Sequence, residues 1–394
     1  FNRSDAHTYS GVMSGTGTVT KLASNTLTFD GDNTYTGDTT VSAGTLQIGS
    51  GGTSGSVTGD IVNNANVTFN RSDAHTYSGV MSGTGTVTKL ASNTLTFDGD
   101  NTYTGDTTVS AGTLQIGSGG TSGSVAGNII SNSNVTFSRS DSNIYAGVIS
   151  GTGSLTNDGG TLRLTNDNTY TGATILDSGI LTIGAAGSTG SIASQSVLFN
   201  GGHFIFQRNG DITYSGILSG SSGSFEAYGS GTLTLTGNSS TRSGNSFFGG
   251  SKIIKLTHGN ALGTGTVTLN SANSLVLSGG ITTSFGQLHM RGTGATGING
   301  ALFSEAGDNV LGGGVSVRAA NVTVGVDSGS TLTINGGISE TVVGGLTKLD
   351  AGTLTLAGSS TITGDTTVSA GTLQIGAGGT SGSVAGNIIS NSNV

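Results

Sequence analysis

The chain is built from tandem copies of one long unit. Residues 1–57 are identical to residues 69–125, and Phe1, Phe69 and Phe137 follow one another at equal intervals. An active site requires one constellation of side chains, whereas a scaffold or a repeated surface requires many copies. The repeat therefore predicts an architecture in which each unit packs on its neighbours.

Each unit contains short segments in which apolar and polar residues alternate. Three of them are "TLTF" (26–29), "TLQI" (45–48) and "NVTF" (66–69). This period is typical of half-buried strands, so Leu27, Leu46 and Val67 are expected to point inward from equivalent positions. A further, longer step reaches Leu95. The spacing predicts an all-β fold, a right-handed parallel β-helix (β-solenoid) with about three coils per 68-residue repeat.

Composition supports a continuous β-ladder. Glycine accounts for 73 of the 394 residues and proline for none. Proline removes a backbone donor and is excluded from central strands, so its absence suits stacked strands joined by tight glycine turns. No segment shows capped, helical periodicity, so we expect almost no helix.

Charge and cysteine content exclude several classes of function. The chain has no cysteine, which excludes disulfide and thiolate chemistry. Its net charge is −8 with only 13 Lys and Arg residues, so we expect no nucleic-acid partner. No apolar run approaches the ~18 residues of a membrane helix, so this segment is not expected to insert into a membrane. No cofactor is predicted.

The repeats divide the sequence into three regions. Residues 1–220 hold the tandem units, residues 221–345 diverge from the repeat, and residues 346–394 return to it. We predict β-helix coils in all three, with larger core residues in the middle region.

The segment "TLTFDGDNTYTGDTTVSAGTLQIG" resembles the passenger-associated transport repeat of Gram-negative autotransporters. It stands at 26–49 and 94–117, and in altered form at 161–184 and 353–376. In every copy the first and last leucines keep the same separation: Leu27 and Leu46, Leu95 and Leu114, Leu162 and Leu181, Leu354 and Leu373. The resemblance implies a right-handed β-helix exported to the cell surface or secreted. It implies no particular activity, because such passengers include adhesins, enzymes and stalks.

The acidic turn "DGDNTYTGD" has two interpretations. Asp30, Asp32 and Asp38 are clustered oxygen ligands of the kind that calcium prefers. Asp is also a favoured turn residue, and the position of Asp30 is occupied by Thr165 and Ala357 in other copies. The turn interpretation is favoured, and no metal site is predicted.

Catalytic interpretations rest on sparse residues. Glutamate occurs only at Glu226, Glu305 and Glu340, and a glycosidase needs two carboxylates ~5–10 Å apart. The "RSDAHTYSG" segment places a histidine beside Asp5, but the third copy has Asn143 at the histidine's position. No catalytic residue is predicted. A ligand contact is expected instead within 221–345, at His289, Arg291, Glu305 and Asp308.

These observations favour a non-enzymatic adhesin or structural stalk at the cell surface. Host cell surfaces, glycans and extracellular matrix are the partners considered. A self-associating extracellular filament and a glycan-acting passenger enzyme are the alternatives. Exposed terminal rungs offer unpaired strand edges, so end-to-end self-association is also expected.

Overall fold

Strands and turns make up the whole chain. The computed structural model describes residues 1–394 and contains no helix. The chain divides into two compact units: unit 1 comprises residues 1–183 and 189–194, and unit 2 comprises residues 184–188 and 195–394. Within each unit, all strands pair in parallel, which confirms a parallel β-solenoid. Its handedness, and the division of the sequence at 220 and 345, stay predictions.

Unit 1 contains 21 strands, numbered in chain order. They are β1 His7–Tyr9, β2 Val19–Lys21, β3 Thr26–Phe29, β4 Thr39–Val41, β5 Thr45–Ile48, β6 Ile61–Asn63, β7 Asn66–Phe69, β8 His75–Tyr77, β9 Met81–Ser82, β10 Thr86–Lys89, β11 Thr94–Phe97, β12 Thr107–Val109, β13 Thr113–Ile116, β14 Ile129–Ser131, β15 Asn134–Phe137, β16 Ser142–Tyr145, β17 Ile149–Ser150, β18 Ser154–Leu164, β19 Asp167–Asn168, β20 Thr174–Ile183 and β21 Ser191–Ile192.

The sheets of unit 1 run across the coils. One has the order β1-β3-β5-β7-β10-β12-β14-β17, and another has the order β2-β4-β6-β9. A third contains β8-β11-β13-β15-β18-β20, with β16 also paired to β18, and β19 pairs with β21. Each sheet is one face of the solenoid, because the chain visits successive faces before it returns to the next rung.

The predicted leucine spacing is confirmed. Leu27 is the direct rung neighbour of Leu46, and Leu95 is that of Leu114. The pairs in the altered copies, Leu162 with Leu181 and Leu354 with Leu373, have the same relationship. All eight leucines are buried, so each repeat stacks two leucines in the core.

The expected step from Val67 to Leu95 is wrong. Val67 pairs with Val87, and Leu95 lies in a different sheet, where it pairs with His75. The alternating pattern does not predict the strand at Val87, because Lys89 occupies an inward position of the "TVTK" segment and interrupts the apolar alternation. Three coils therefore end at Val87, before the chain reaches Leu95. One 68-residue repeat is three coils plus one further face.

The Asn-Thr-Tyr-Thr-Gly motif forms a buried polar corner. The Tyr35 hydroxyl lies 2.5 Å from Thr39 Oγ1, and both side chains are buried. Asn33 Oδ1 accepts a hydrogen bond of 2.9 Å from the backbone N–H of Met13, one rung away. A Cβ at Gly37 would lie 2.4 Å from a carbonyl oxygen of the preceding rung, so only glycine fits. The motif is therefore explained by packing.

Most basic side chains are internal. None of the 21 Asp and Glu residues is buried, whereas seven of the 13 Lys and Arg residues are: Lys21, Arg71, Lys89, Arg208, Arg242, Lys252 and Lys348. Lys89 Nζ donates to the carbonyls of Ala91 at 2.6 Å and Ala111 at 2.9 Å. Desolvation lowers the pKa of Lys89 to about 8. The exposed surface is consequently much richer in acids than in bases.

Unit 2 contains 23 strands. They are β22 Ser196–Phe199, β23 His203–Gln207, β24 Ile212–Tyr214, β25 Ile217–Ser219, β26 Phe225–Tyr228, β27 Ser230–Leu235, β28 Ser246–Phe248, β29 Ser251–Leu256, β30 Thr266–Leu269, β31 Ser274–Ser278, β32 Thr282–Thr283, β33 Gln287–Met290, β34 Leu302–Ala306, β35 Asp308–Leu311, β36 Gly314–Val317, β37 Asn321–Val326, β38 Thr331–Ile334, β39 Ile338–Glu340, β40 Gly345–Leu349, β41 Thr353–Leu356, β42 Thr366–Val368, β43 Thr372–Ile375 and β44 Ile388–Ser390.

Three long sheets organise unit 2. Sheet P has the order β23-β26-β28-β30-β33-β36-β39, and sheet Q has the order β24-β27-β29-β31-β34-β37-β40-β42-β44. Sheet R has the order β32-β35-β38-β41-β43, and the short strands β22 and β25 also pair. Coil length varies in sheet Q, where Ile254 pairs with Leu275 and Leu275 pairs with Leu302. The second of these two coils is the longer, because it contains an insertion before β34.

Candidate ligand-binding surfaces

The acidic turns of unit 1 bind arginine side chains. Arg71 Nη1 lies 3.2 Å from Asp32 Oδ1, and Arg71 Nη2 lies 2.8 Å from Asp73 Oδ2. Arg71 also donates to the carbonyls of Gly55 and Thr53 in the adjacent glycine loop. Arg139 repeats these contacts in the next copy. Each arginine thus fastens the loop of the preceding repeat, a role that sequence reasoning missed although "RSD" recurs with the repeat.

No group of three or more His, Asp or Glu side chains is placed to hold a metal ion anywhere in residues 1–394. Asp30 instead accepts a hydrogen bond from Ser50, one rung away, and its copy Asp98 accepts one of 2.5 Å from Ser118. These contacts are those of turn residues that bridge rungs.

Sheet P has an outward face whose chemistry differs from that of the repeats. Its central row places Glu226, Phe247, Thr268 and His289 on successive rungs. The corresponding row of the third sheet of unit 1 is mostly threonine and glutamine, namely Thr76, Thr96, Gln115, Thr136 and Thr156, and it ends at Ile175. We call this outward face of β23, β26, β28, β30, β33 and β36, together with the residues directly before and after each strand, the sheet P strip.

Hydrogen bonds fix one end of the sheet P strip. Ser224 Oγ lies 2.6 Å from His203 Nδ1 and donates to Glu226 Oε1 at 2.5 Å. The Tyr228 hydroxyl donates to Glu226 Oε2 at 2.6 Å. Burial and the Glu226 carboxylate raise the pKa of Tyr228 to about 12, so its hydroxyl stays protonated at neutral pH. Both carboxylate oxygens of Glu226 are engaged, and its side chain is held in one orientation.

The other end of the sheet P strip is basic. The Nε2 atom of His289 lies 3.0 Å from Arg318 Nη2 and 3.2 Å from Gln287 Oε1. Arg291 and Arg318 follow Met290 and Val317, which are paired, so the two arginines stand on adjacent rungs. Desolvation and these two cations lower the pKa of His289, which is therefore neutral at pH 7. Neither arginine forms an ion pair.

Sheet Q carries a separate groove of about 380 Å³. It is lined by Asp211, Ile212, Thr213, Thr232, Thr234, Ile253, Lys255, Val276, Ile298 and Glu305. Lys255 Nζ lies 2.5 Å from Glu305 Oε2, and this contact lowers the pKa of Glu305. Glu305 is therefore ionised at neutral pH.

One wall of the sheet Q groove is formed by the insertion that lengthens the coil between β31 and β34. Ile298 lies in the segment 291–301, which supplies part of the lining. Ser274 is fully buried beneath it and donates to the Gly300 carbonyl at 2.6 Å. The Ala295 N–H donates back to Ser274 Oγ at 2.9 Å. The wall is thus anchored to the sheet by a buried hydroxyl.

The four predicted contact residues do not form one site. His289 and Arg291 belong to the sheet P strip, and Glu305 belongs to the sheet Q groove. Asp308 is exposed at the start of β35 in sheet R. Sequence reasoning missed Arg318, because its contact with His289 joins residues far apart in the sequence and depends on the lengths of the intervening loops.

The architecture defines the class of protein: parallel β-solenoids with a repeated polar surface. A model of the passenger-associated-transport-repeat matches residues 19–48, 87–116, 157–183, 226–251 and 346–375. The chain therefore carries the passenger-associated transport repeat in five segments. The match at 226–251 was not recognised from the sequence, because Leu233 pairs with Ile254, which lies beyond the matched segment and further along the chain than the partner leucine in the other copies.

One curated relative is an adhesin. The chain is 35% identical over 176 residues to the protein named "Adhesin BmaC autotransporter" of Brucella suis biovar 1 (strain 1330). The match covers 38% of this chain and only 5% of the relative's length. No solved structure matches the chain. The structure has no helix of the length and apolarity that crossing a membrane requires.

Proposed function

We propose that the chain is a non-enzymatic, adhesive segment of an autotransporter passenger that acts at the cell surface or after secretion. Its β-solenoid repeats act as a spacer with polar faces, and unit 2 makes the specific contact. The similarity to a named adhesin autotransporter is the observation that carries this proposal. The partner is a host-cell or matrix surface. End-to-end self-association stays a separate prediction.

The placement of the carboxylates supports a non-enzymatic role. In the sheet Q groove, Asp211 and Glu305 belong to the rungs of β24 and β34, which are four steps apart in that sheet. At about 4.8 Å per step the backbone positions of the two residues are about 19 Å apart, whereas glycoside hydrolysis uses two carboxylates ~5–10 Å apart. Glu226 lies in sheet P, and both its oxygens are engaged by Ser224 and Tyr228.

Attachment of cells that display the parent protein tests this proposal. Deleting residues 69–136 removes one repeat and leaves equivalent neighbours at the junction, so attachment to host cells or matrix should fall gradually. Replacing Glu305 by Gln should abolish no catalytic activity of the secreted passenger. Loss of a measurable hydrolytic activity in that variant, with attachment unchanged, would show that the segment is an enzyme.

A further inference from the structure

We infer that the sheet P strip is a binding site for an acidic oligosaccharide, that is, a sugar chain carrying carboxylate or sulfate groups. This inference rests on the proposed adhesive function and names the ligand chemistry of one surface. Three features carry it: an unneutralised basic end, an exposed aromatic ring in the middle, and amide and hydroxyl side chains between them.

The basic end is exceptional for this molecule. Seven of the 13 Lys and Arg residues are buried, and the exposed surface is dominated by acids. Arg291 and Arg318 nevertheless stand on adjacent rungs with no carboxylate partner. Two neighbouring cations repel each other, and the arginine fork binds carboxylate or sulfate through two parallel hydrogen bonds. A ligand anion at this end would neutralise both side chains.

The distance between the exposed aromatic ring of Phe247 and the basic end of the strip suits a sugar chain. Phe247 is 40% exposed although it stands on a polar sheet face, and His289 is two rungs further along. Two rungs span about 10 Å, which is roughly the length of a disaccharide. One pyranose ring can then lie on Phe247 while the acidic group of a neighbouring residue reaches the arginines.

The remaining side chains suit hydroxyl groups. Asn270 and Gln287 flank the central row, and an amide both donates and accepts, as a sugar hydroxyl does. Thr268 stands between Phe247 and His289 and is half-exposed. The hydrogen bonds around Glu226 hold the far end rigid, which lowers the entropic cost of binding.

Other acidic partners fit this surface less well. An acidic peptide that binds by strand addition needs an unpaired sheet edge, whereas the strip lies on the face of strands that are paired on both sides. A nucleic acid needs many phosphate contacts, and the net charge of −8 opposes it. An oligosaccharide needs only the local pair of arginines and a ring-stacking surface.

The test is binding of the purified 394-residue chain to an array of uronate-, sialate- and sulfate-bearing oligosaccharides, each printed beside its neutral counterpart. Calorimetry then gives the affinity for the strongest acidic ligand. We expect Arg318→Ala and Phe247→Ala each to weaken binding about tenfold or more. The first substitution removes charge-assisted hydrogen bonds, and the second removes the ring on which a sugar stacks. Phe247→Tyr should retain binding.

Arg163→Ala is the matched control, since Arg163 is a half-exposed arginine on an outward position of β18 in unit 1. It should leave the affinity unchanged. Equal binding of acidic and neutral sugars, stronger binding of a hexaglutamate peptide, or acidic-sugar binding that survives both Arg318→Ala and Phe247→Ala would overturn the inference.

Cell attachment separates this inference from the proposed function. If the chain binds no acidic sugar while cells that display the parent passenger still attach, the adhesive function stands and only this assignment fails. Failure of those cells to attach to any host-cell or matrix surface would instead refute the proposed function.

Discussion

The hydroxyl of Tyr103 lies 2.5 Å from Thr107 Oγ1, and the same contact recurs between Tyr35 and Thr39. In the last copy Ile362 replaces the tyrosine, and Thr366 Oγ1 is buried without a hydrogen-bond partner. The chain thus contains the same threonine in a satisfied and an unsatisfied environment.

This difference predicts that the Thr→Val substitution has different effects on stability at the two positions. Thr107→Val removes a partner of the buried Tyr103 hydroxyl and should lower the free energy of unfolding by ~1–3 kcal/mol. Thr366→Val removes an unsatisfied hydroxyl and should be neutral or stabilising. Urea unfolding of both variants measures the effect. Equal destabilisation by the two substitutions would show that the hydrogen bond is unimportant.

A second prediction concerns the arginine that fastens each glycine loop. Arg71→Ala removes contacts with Asp32, Asp73 and two loop carbonyls, so we expect a loss of ~1–3 kcal/mol and faster proteolysis within 49–55. Arg3→Ala is the control, because Arg3 has the same local sequence but pairs only with the exposed Asp5. It should leave the free energy of unfolding almost unchanged, because an exposed ion pair is screened by solvent. Equal losses in both variants would contradict the fastening role.

A third prediction concerns pH. The pKa of Lys89 is about 8 in the folded chain, whereas an ordinary lysine titrates near ~10.4. Between these values the unfolded chain binds more protons, so the contribution of Lys89 to the free energy of unfolding should rise with pH. Urea unfolding at about pH 7.5, 8.5 and 9.5 should show a steeper rise in the wild type than in Lys89→Met. Parallel pH dependence would mean that Lys89 titrates normally.

The sequence predicted what depends on local pattern. The constant separation of leucines such as Leu27 and Leu46 specifies adjacent rungs, because a coil of that length returns the chain to the same face. The pattern did not predict the strand at Val87, since a buried lysine whose ammonium binds turn carbonyls looks polar in the sequence. Local pattern alone therefore undercounts strands wherever an inward position is polar.

The candidate surfaces were less predictable than the coils. Lys255 meets Glu305 across two rungs of sheet Q, and the long coil between Leu275 and Leu302 sets which side chains share a face. Each insertion changes the number of residues in a coil. The spacing of unusual residues in the sequence therefore does not show which of them are neighbours on one face. His289 and Arg291 lie on one surface, but Glu305 and Asp308 lie elsewhere.

Disulfide formation tests most directly the claim that one 68-residue repeat consists of three coils plus one further face. Asn66 and Thr86 are exposed rung neighbours, and paired strands are ~4.8 Å apart, within the Cα separation that a disulfide bridges. The chain has no native cysteine, so each pair can be introduced alone. Oxidised Asn66→Cys/Thr86→Cys protein should form an intramolecular disulfide, whereas Asn66→Cys/Thr94→Cys should not. A disulfide in the second variant and none in the first would contradict this register.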